Sequence, residues 1–231
     1  MSMGGVRQST ALKSYLGVFM KYAFTRNAFE NYEKEPMDCV GYYGIPLMQA
    51  PEIELPDTLE LVRFDFSKKI PQEKRKGKGL HFYIDDYKFI HTWREPSKYI
   101  EFLKSFDFVI APDFSVYIDF PFALQILAHY RRQWLGAYWQ RYGVTVIPNV
   151  SWSDEKSFEY CFDGIPKNSI VAVSSAGMCQ SNLNKKIMRV GWAKMLEVLQ
   201  PKKIILYGKK IEGMDGDIVQ VDPYDELWRA K

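Results

Sequence analysis

Residues 106–115 read FDFVIAPDFS. Phe108, Val109, Ile110 and Ala111 form an unbroken apolar run, and the run stops at Pro112 and Asp113. A short apolar run without alternation is the pattern of a strand buried on both faces, as in a parallel sheet. The proline and the carboxylate mark the turn where such a strand ends.

The same pattern recurs along the chain. It appears as LVRFDF (61–66), GLHFYIDDY (79–87), VTVIPNVSWSD (144–154), SIVAVSSAG (169–177), KIILYG (203–208) and DIVQVDPY (217–224). Between several of these runs the spacing predicts helices. SKYIEFLKSF (97–106) repeats Tyr99, Phe102, Leu103 and Phe106 at helical intervals, and FALQILAHYRRQWLGAYWQRYG (122–143) is expected as a long amphipathic helix closed by Gly143. NKKIMRVGWAKMLEVLQ (184–200) stops ahead of Pro201, which cannot continue a helix.

Strands alternating with helices imply an α/β fold with a parallel sheet covered on both faces. Right-handed crossovers bring every strand's carboxyl end to one side. The expected architecture is a run of βα repeats in a partial or degenerate (β/α) barrel-like form. The alternative is an open doubly wound sheet. The barrel-like form is preferred because the strands end alike and none leads into a glycine-rich dinucleotide turn. Six or seven strands also fall short of a closed eightfold barrel, which needs about 250 residues.

Three segments are expected: a flexible tail at 1–10, an N-terminal helix and irregular segment at 11–55, and the βα-repeat domain at 56–231. The helix rests on Leu12, Tyr15, Leu16, Phe19, Tyr22 and Ala23, and Pro36, Pro46, Pro51 and Pro56 break up the segment after it.

With 231 residues, 47% of them hydrophobic and 16% aromatic, the chain can bury a full core and is no disordered polymer. A net charge of +3 neither demands nor excludes a polyanionic partner. No stretch is long and apolar enough to span a membrane, and MSMGGVRQST lacks a signal peptide's hydrophobic region. Cys39, Cys161 and Cys179 are odd in number and form no CxxC pair, which favours reduced thiols and a cytoplasmic location. Their spacing from His81, His91 and His129 suggests no metal site, and the three histidines read as structural.

The polar ends of the strands place Asp65, Asp85, Asp86, Asp113, Asn149, Trp152, Asp154, Ser174, Ser175, Tyr207 and Lys209 on one rim. Carboxylates held close together raise a pKa or recruit a cation. Asp85, Asp113 and Asp154 are therefore the candidate catalytic groups. Asp65 and Asp86 are candidate oxygen ligands for Mg²⁺ or Mn²⁺. Trp152 is a candidate stacking wall, and Ser174, Ser175 and Lys209 are candidate anion contacts. Each Asp also reads as a cap for the next turn.

Six of the twelve residues in KKIPQEKRKGKG (68–79) are basic. Lys74, Arg75, Lys76 and Lys78 are thus candidate nucleic-acid contacts, or parts of a solvated connection. Trp134, Tyr138 and Trp139 beside Arg131, Arg132 and Arg141 offer two readings, a stacking surface for bases or, preferred at helical spacing, core aromatics with arginine stems packed over them.

Taken together, FYIDDYKF, FDFVIAPDFS, RRQWLGAYWQRYG, VIPNVSWSD, SFEYCFDGIPKNS and VAVSSAG resemble an uncharacterised family of bacterial, phage and mobile-element proteins known only as a domain of unknown function. The resemblance covers roughly residues 40–210. It implies a bacterial or phage-infected cytoplasm and carries no catalytic residues with it. It marks VSWSD and FDGIPK as a signature, and so Trp152, Asp154, Asp163 and Lys167, with Gly164 and Pro166 shaping a turn.

Three functions remain in view. One is an enzyme with an acidic strand-end site for a phosphate-, nucleotide- or sugar-type small molecule, with or without a metal. The second is a non-catalytic module binding DNA or a host protein. The third is an inert barrel kept for assembly.

Overall fold

The apolar runs fold as strands. The computed structural model describes Glu30 and residues 34–223. The expected tail at 1–10 and the helix expected within 11–33 fall outside the described residues, apart from Glu30. The chain divides into two compact units, one ending at Met37 and one starting at Asp38. The proline-rich stretch after Asp38 therefore belongs to the same unit as the βα repeats.

That unit opens with a hairpin of β1 (Cys39–Val40) and β2 (Ile45–Pro46). The later strands are β3 (Leu61–Arg63), β4 (Gly79–His81), β5 (Phe108–Ile110), β6 (Val146–Ile147), β7 (Ile170–Ser174), β8 (Lys203–Tyr207) and β9 (Ile218–Val221). The helices are α1 (Phe64–Ser67), α2 (Ile90–Arg94), α3 (Ile100–Leu103), α4 (Phe122–Arg141) and α5 (Asn182–Leu199).

Strands β3 to β6 form one parallel sheet and β7 to β9 another, both in chain order. A parallel bridge from Asn149 to Ala172 links the two. The arrangement is thus the expected set of parallel βα repeats, and it does not close into a barrel. The first and last of these strands, β3 and β9, do not pair with each other.

Side chains alternate between two cores, as the two-residue period of a strand requires. Leu61, Phe108, Ile110, Ile147, Ala172, Ile205 and Val221 share the inner cluster. Val171, Val173, Ile204 and Leu206 point the other way, onto Trp192, Met195 and Leu199 of α5.

The sheet is strongly curled. Four strand spacings separate β4 from β8, about 19 Å if the sheet were flat. Yet the His81 and Tyr207 rings lie 4.5 Å apart and the Tyr83 and Tyr207 rings 4.8 Å apart. The carboxyl ends of distant strands therefore meet over the inner face.

Two helices differ from the pattern read in the sequence. The 97–106 stretch is a 3₁₀ turn (Pro96–Tyr99) followed by the single turn α3. Helix α4 is buried on most sides at its centre, where Trp134, Leu135, Gly136, Ala137, Tyr138 and Trp139 are all enclosed. It also buries Gln125, His129, Arg132 and Gln133, a polar stripe at helical spacing.

The inner face leaves no spare volume at Gly79. A Cβ there would overlap the Phe108 ring and stand 2.8 Å from Leu61 Cδ2. Gly79→Ala should therefore destabilise the fold by about 1–3 kcal/mol through overpacking. Urea unfolding should show a lower midpoint with an unchanged slope.

Candidate functional site

Asp113 stands at the centre of the rim. It leaves β5 through Pro112, and 27% of its side chain is exposed. Asn149 Nδ2 donates to its Oδ1 at 2.8 Å. Arg132 Nη2 approaches the same oxygen at 3.4 Å. Burial raises the Asp113 pKa above the usual carboxylate value, with the Asp86 charge adding to it, while Arg132, Asn149 and His81 pull it down. The group is thus held closer to neutrality than an ordinary aspartate, with one face still open to water.

Arg132 has no exposed surface. Its Nε donates to the Pro112 carbonyl at 3.2 Å and its Nη2 to the Phe114 carbonyl at 2.8 Å. One guanidinium therefore grips the carbonyls on both sides of Asp113 and touches the carboxylate between them. A fully buried charge is costly unless it is hydrogen-bonded in this way. Its Nη1 is buried without a hydrogen-bond partner among the described residues. An unsatisfied buried donor costs about 1–3 kcal/mol and calls for a reason.

The network continues through aromatic side chains. Tyr83 Oη donates to Asn149 Oδ1 at 3.1 Å, completing a Tyr83–Asn149–Asp113 relay. Burial pushes the Tyr83 hydroxyl well above its ordinary pKa, and Asp113 adds to the effect, so Tyr83 remains a donor. Tyr83 N–H donates to His81 Nδ1 at 3.1 Å, which ties the two residues together at the end of β4. The stacked rings of Tyr83 and Tyr207 form the floor beside the relay.

The other expected acids do not join this centre. Asp65 makes a two-point pair with Arg63 at 2.7 and 3.2 Å. Asp85 pairs with Lys88 at 2.8 Å, and that bond lowers its pKa. Asp86 accepts from Ser115 Oγ at 2.9 Å and from Ser115 N–H, steadying the loop just beyond Asp113. Asp154 accepts from Lys156 N–H at 3.1 Å and caps the turn Glu155–Glu159. Among the described residues, no three His, Cys, Asp or Glu side chains gather as a metal ligand set. The rim thus has one acid at its centre, where a cluster was expected.

Ser174, Ser175 and Lys209 come together where β7 and β8 end. Ser174 Oγ accepts from Ala176 N–H at 3.2 Å, and Ser175 Oγ donates to the Lys209 carbonyl at 2.7 Å. Both hydroxyls serve the turns, and the Lys209 side chain is exposed. Trp152 is buried against α5, with its Nε1 donating to the Ile187 carbonyl at 3.2 Å.

The basic loop lies at the opposite end of the sheet. Lys78 pairs with Glu60 just ahead of β3, and Lys76 approaches Asp107 just ahead of β5 at 3.9 Å. Arg75 donates to the Ile70 carbonyl and Ser105 Oγ, and lies 4.7 Å over the Phe102 ring. Lys74 is exposed. Three of the four candidate nucleic-acid contacts are therefore engaged within the fold.

The signature string FDGIPK braces the fold. His129 Nε2 donates to the Asp163 carbonyl at 2.9 Å, and Met48 N–H donates to the Gly164 carbonyl at 2.9 Å. Gly164, at φ +74°, backs onto the Pro46 carbonyl, where a side chain would collide. Lys167 is exposed.

Tyr83, His81 and Arg132 carry no mark of chemistry in the sequence. Tyr83 lies two residues beyond the end of β4, where strand alternation no longer fixes the face it takes. Nothing in RRQW separates a buried clamp from a solvated arginine. The only pointer is the rhythm that puts Arg132 three residues after His129 and one before Gln133.

Residues 37–225 match the family described as Domain of unknown function (DUF4417). The chain belongs to that family. It is 36% identical over 154 residues to the Gene 1 protein of Mycobacterium phage L5, covering 67% of each chain. It is 35% identical over 152 residues to the Gene 1 protein of Mycobacterium phage D29, covering 66% of this chain and 56% of that protein. No solved structure matches.

Helix α4 also sets a pH dependence. Burial, helped by the Arg132 charge, lowers the His129 pKa from 6.5 to about 3. The unfolded chain takes up a proton below about 6.5 that the folded chain refuses until about 3. His129 therefore removes about 1.4 kcal/mol of stability per pH unit of acidification within that window. His129→Gln can still donate to the Asp163 carbonyl. The variant should be less stable than the parent at pH 7, and the gap should narrow as the pH falls. Urea unfolding curves at several pH values check this.

Proposed function

We propose that the chain is an enzyme whose active site is the strand-end rim around Asp113. It acts on a small polar substrate of phosphate, nucleotide or sugar type by general acid/base chemistry. One observation supports this reading above the others. Asp113 lies at the carboxyl end of a parallel strand, is desolvated enough to raise its pKa, keeps an open face, and is gripped from behind by Arg132 and Asn149. Ligands of parallel α/β sheets bind at this end of the strands. A carboxyl group whose pKa is shifted toward the working pH is suited to giving and taking protons.

In this reading Asp113 is the proton donor or acceptor. Asn149 fixes its orientation, and the Tyr83–Tyr207 pair offers a flat wall to a ring of the substrate. Asp85 and Asp154, catalytic candidates by sequence, become supports of the surrounding loops. Lys209, exposed just past the end of β8, would meet an anionic group of the substrate. A Mg²⁺ or Mn²⁺ ion is no part of this reading, because among the described residues no three acids gather to hold one, and Asp65 and Asp86, its expected ligands, are engaged by Arg63 and Ser115.

A DNA-binding module has weaker support, because the basic loop sits at the other end of the sheet with Arg75 and Lys78 engaged within the protein. The three free cysteines fit a reducing compartment such as a bacterial or phage-infected cytoplasm. No helix of the described residues is long and apolar enough to cross a membrane.

The test is thermal melting of the full chain with nucleotides, sugar phosphates and oligosaccharides, each with and without Mg²⁺ or Mn²⁺. Any stabilising mixture is then followed for product by NMR. One substrate class should raise the melting temperature, by about 2.7 kcal/mol of stabilisation at a hundred times Kd. Asp113→Asn should still bind it while turnover falls by about 100-fold or more. Undiminished turnover in the variant would count against the assignment.

A further inference from the structure

A second feature, beside the rim and independent of Asp113, is a half-open pocket of about 220 Å³ between the segment after β6 and the outer face of α5. Trp152, Phe158, Ile187 and Val190 line it, with Ile118 and Leu183 also facing it. The floor is built for its shape. Trp152 lies flat on α5 because residue 191 is glycine, where any Cβ would overlap the indole. Its Nε1 donates to the Ile187 carbonyl at 3.2 Å, which locks the ring.

The surroundings of this pocket are apolar yet face water. Ile118 is 57% exposed and Leu183 63%. Tyr117 and Phe120 flank Ile118, pack edge to face at 5.0 Å, and are also exposed. Large apolar side chains grouped in this way around a concave floor mark interaction surfaces. Aliphatic residues at the lips suit a protein partner better than a sugar or a base. The volume is below the roughly 300–1,000 Å³ of typical small-ligand sites. It fits a single large side chain.

Charge selects the neighbour of that side chain. The pocket wall includes two carboxylates, Asp154 and Glu155, against one ammonium, Lys186. Among the described residues, the Lys156 N–H takes Asp154 Oδ1 and leaves the other carboxylate oxygens without a hydrogen bond. An acidic partner would meet both carboxylates, whereas a basic one complements them.

We propose that this pocket is a protein-docking site that takes one aromatic or large aliphatic side chain from a partner segment carrying lysine or arginine beside it. Docking of this kind places most of the binding energy in the anchor, with the cation giving selectivity.

The experiment uses methyl-labelled full-length protein and three blocked peptides: acetyl-Gly-Lys-Phe-Arg-Gly-amide, the same peptide with glutamate in place of both cations, and the same with alanine in place of phenylalanine. The first should shift the methyl signals of Ile118, Leu183, Ile187 and Val190, and bind at least about tenfold more tightly than the other two. Leu183→Glu, at a side chain too exposed to matter for folding, should weaken binding by about tenfold or more, and Glu155→Lys should abolish the preference for cations. Asp113→Asn should bind the peptide as the parent does, which separates this site from the proposed active site. Equal binding of the acidic peptide, or no methyl shift at millimolar peptide, would overturn the proposal. So would 2-phenylethylamine binding as tightly as the first peptide, because it would make this a small-molecule site.

Discussion

The carboxyl end of this sheet depends on one guanidinium that never meets water. Arg132 reaches from the middle of α4 to the Pro112 and Phe114 carbonyls and to the carboxylate of Asp113. Without these acceptors its charge could not stay buried. Without the guanidinium, the segment leaving β5 would have two carbonyls to satisfy and an acid with a still higher pKa. The position of Asp113 therefore follows from the burial of α4, and the burial of α4 follows from its packing. Gln140 ties the helix to Gln49 and Val146, and Gly136 lets Met48 come close.

The curl of the sheet supplies the other half of the site. Because β4 and β8 approach across the inner face, Tyr83 and Tyr207 stack, and the Tyr83 hydroxyl reaches Asn149. Asp113 thus faces a floor contributed by several strands. The protein also separates its charges along the strand axis. The free-faced acid is at the carboxyl ends, while Lys76 and Lys78 meet acids at the amino ends. The Trp152 pocket lies outside the sheet, so the two sites can act independently.

Much of the fold was legible in the sequence because each strand of a two-sided sheet must be apolar throughout and must stop at a polar turn. All seven runs became parallel strands on those grounds, FDFVIAPDFS among them. Closure was not legible, because it depends on whether β3 and β9 meet, a long-range pairing that local pattern does not encode. The rim was legible as a place, since Asp113, Asn149 and Tyr207 do converge. Its chemistry was not. Asp65 and Asp85 each have a basic residue two or three positions away, and those pairs took them out of the cluster. Asp154 went to a cap and Asp86 to Ser115, which are roles any strand-end aspartate can fill. Arg132 and His129 were hidden because burial of a polar side chain is decided by partners far away in the chain.

The most direct measurement is the titration of Asp113 by carbon-13 NMR of its carboxyl group, in the parent protein and in Asn149→Leu. The account predicts a pKa above the ordinary value near 3.8 in the parent and a further rise in the variant, because the Asn149 amide favours the ionised form. A parent pKa at or below the ordinary value would contradict it. So would a pKa that does not move when Asn149 is replaced. In either case Asp113 would be one more paired surface acid, and the rim would lose its claim to chemistry.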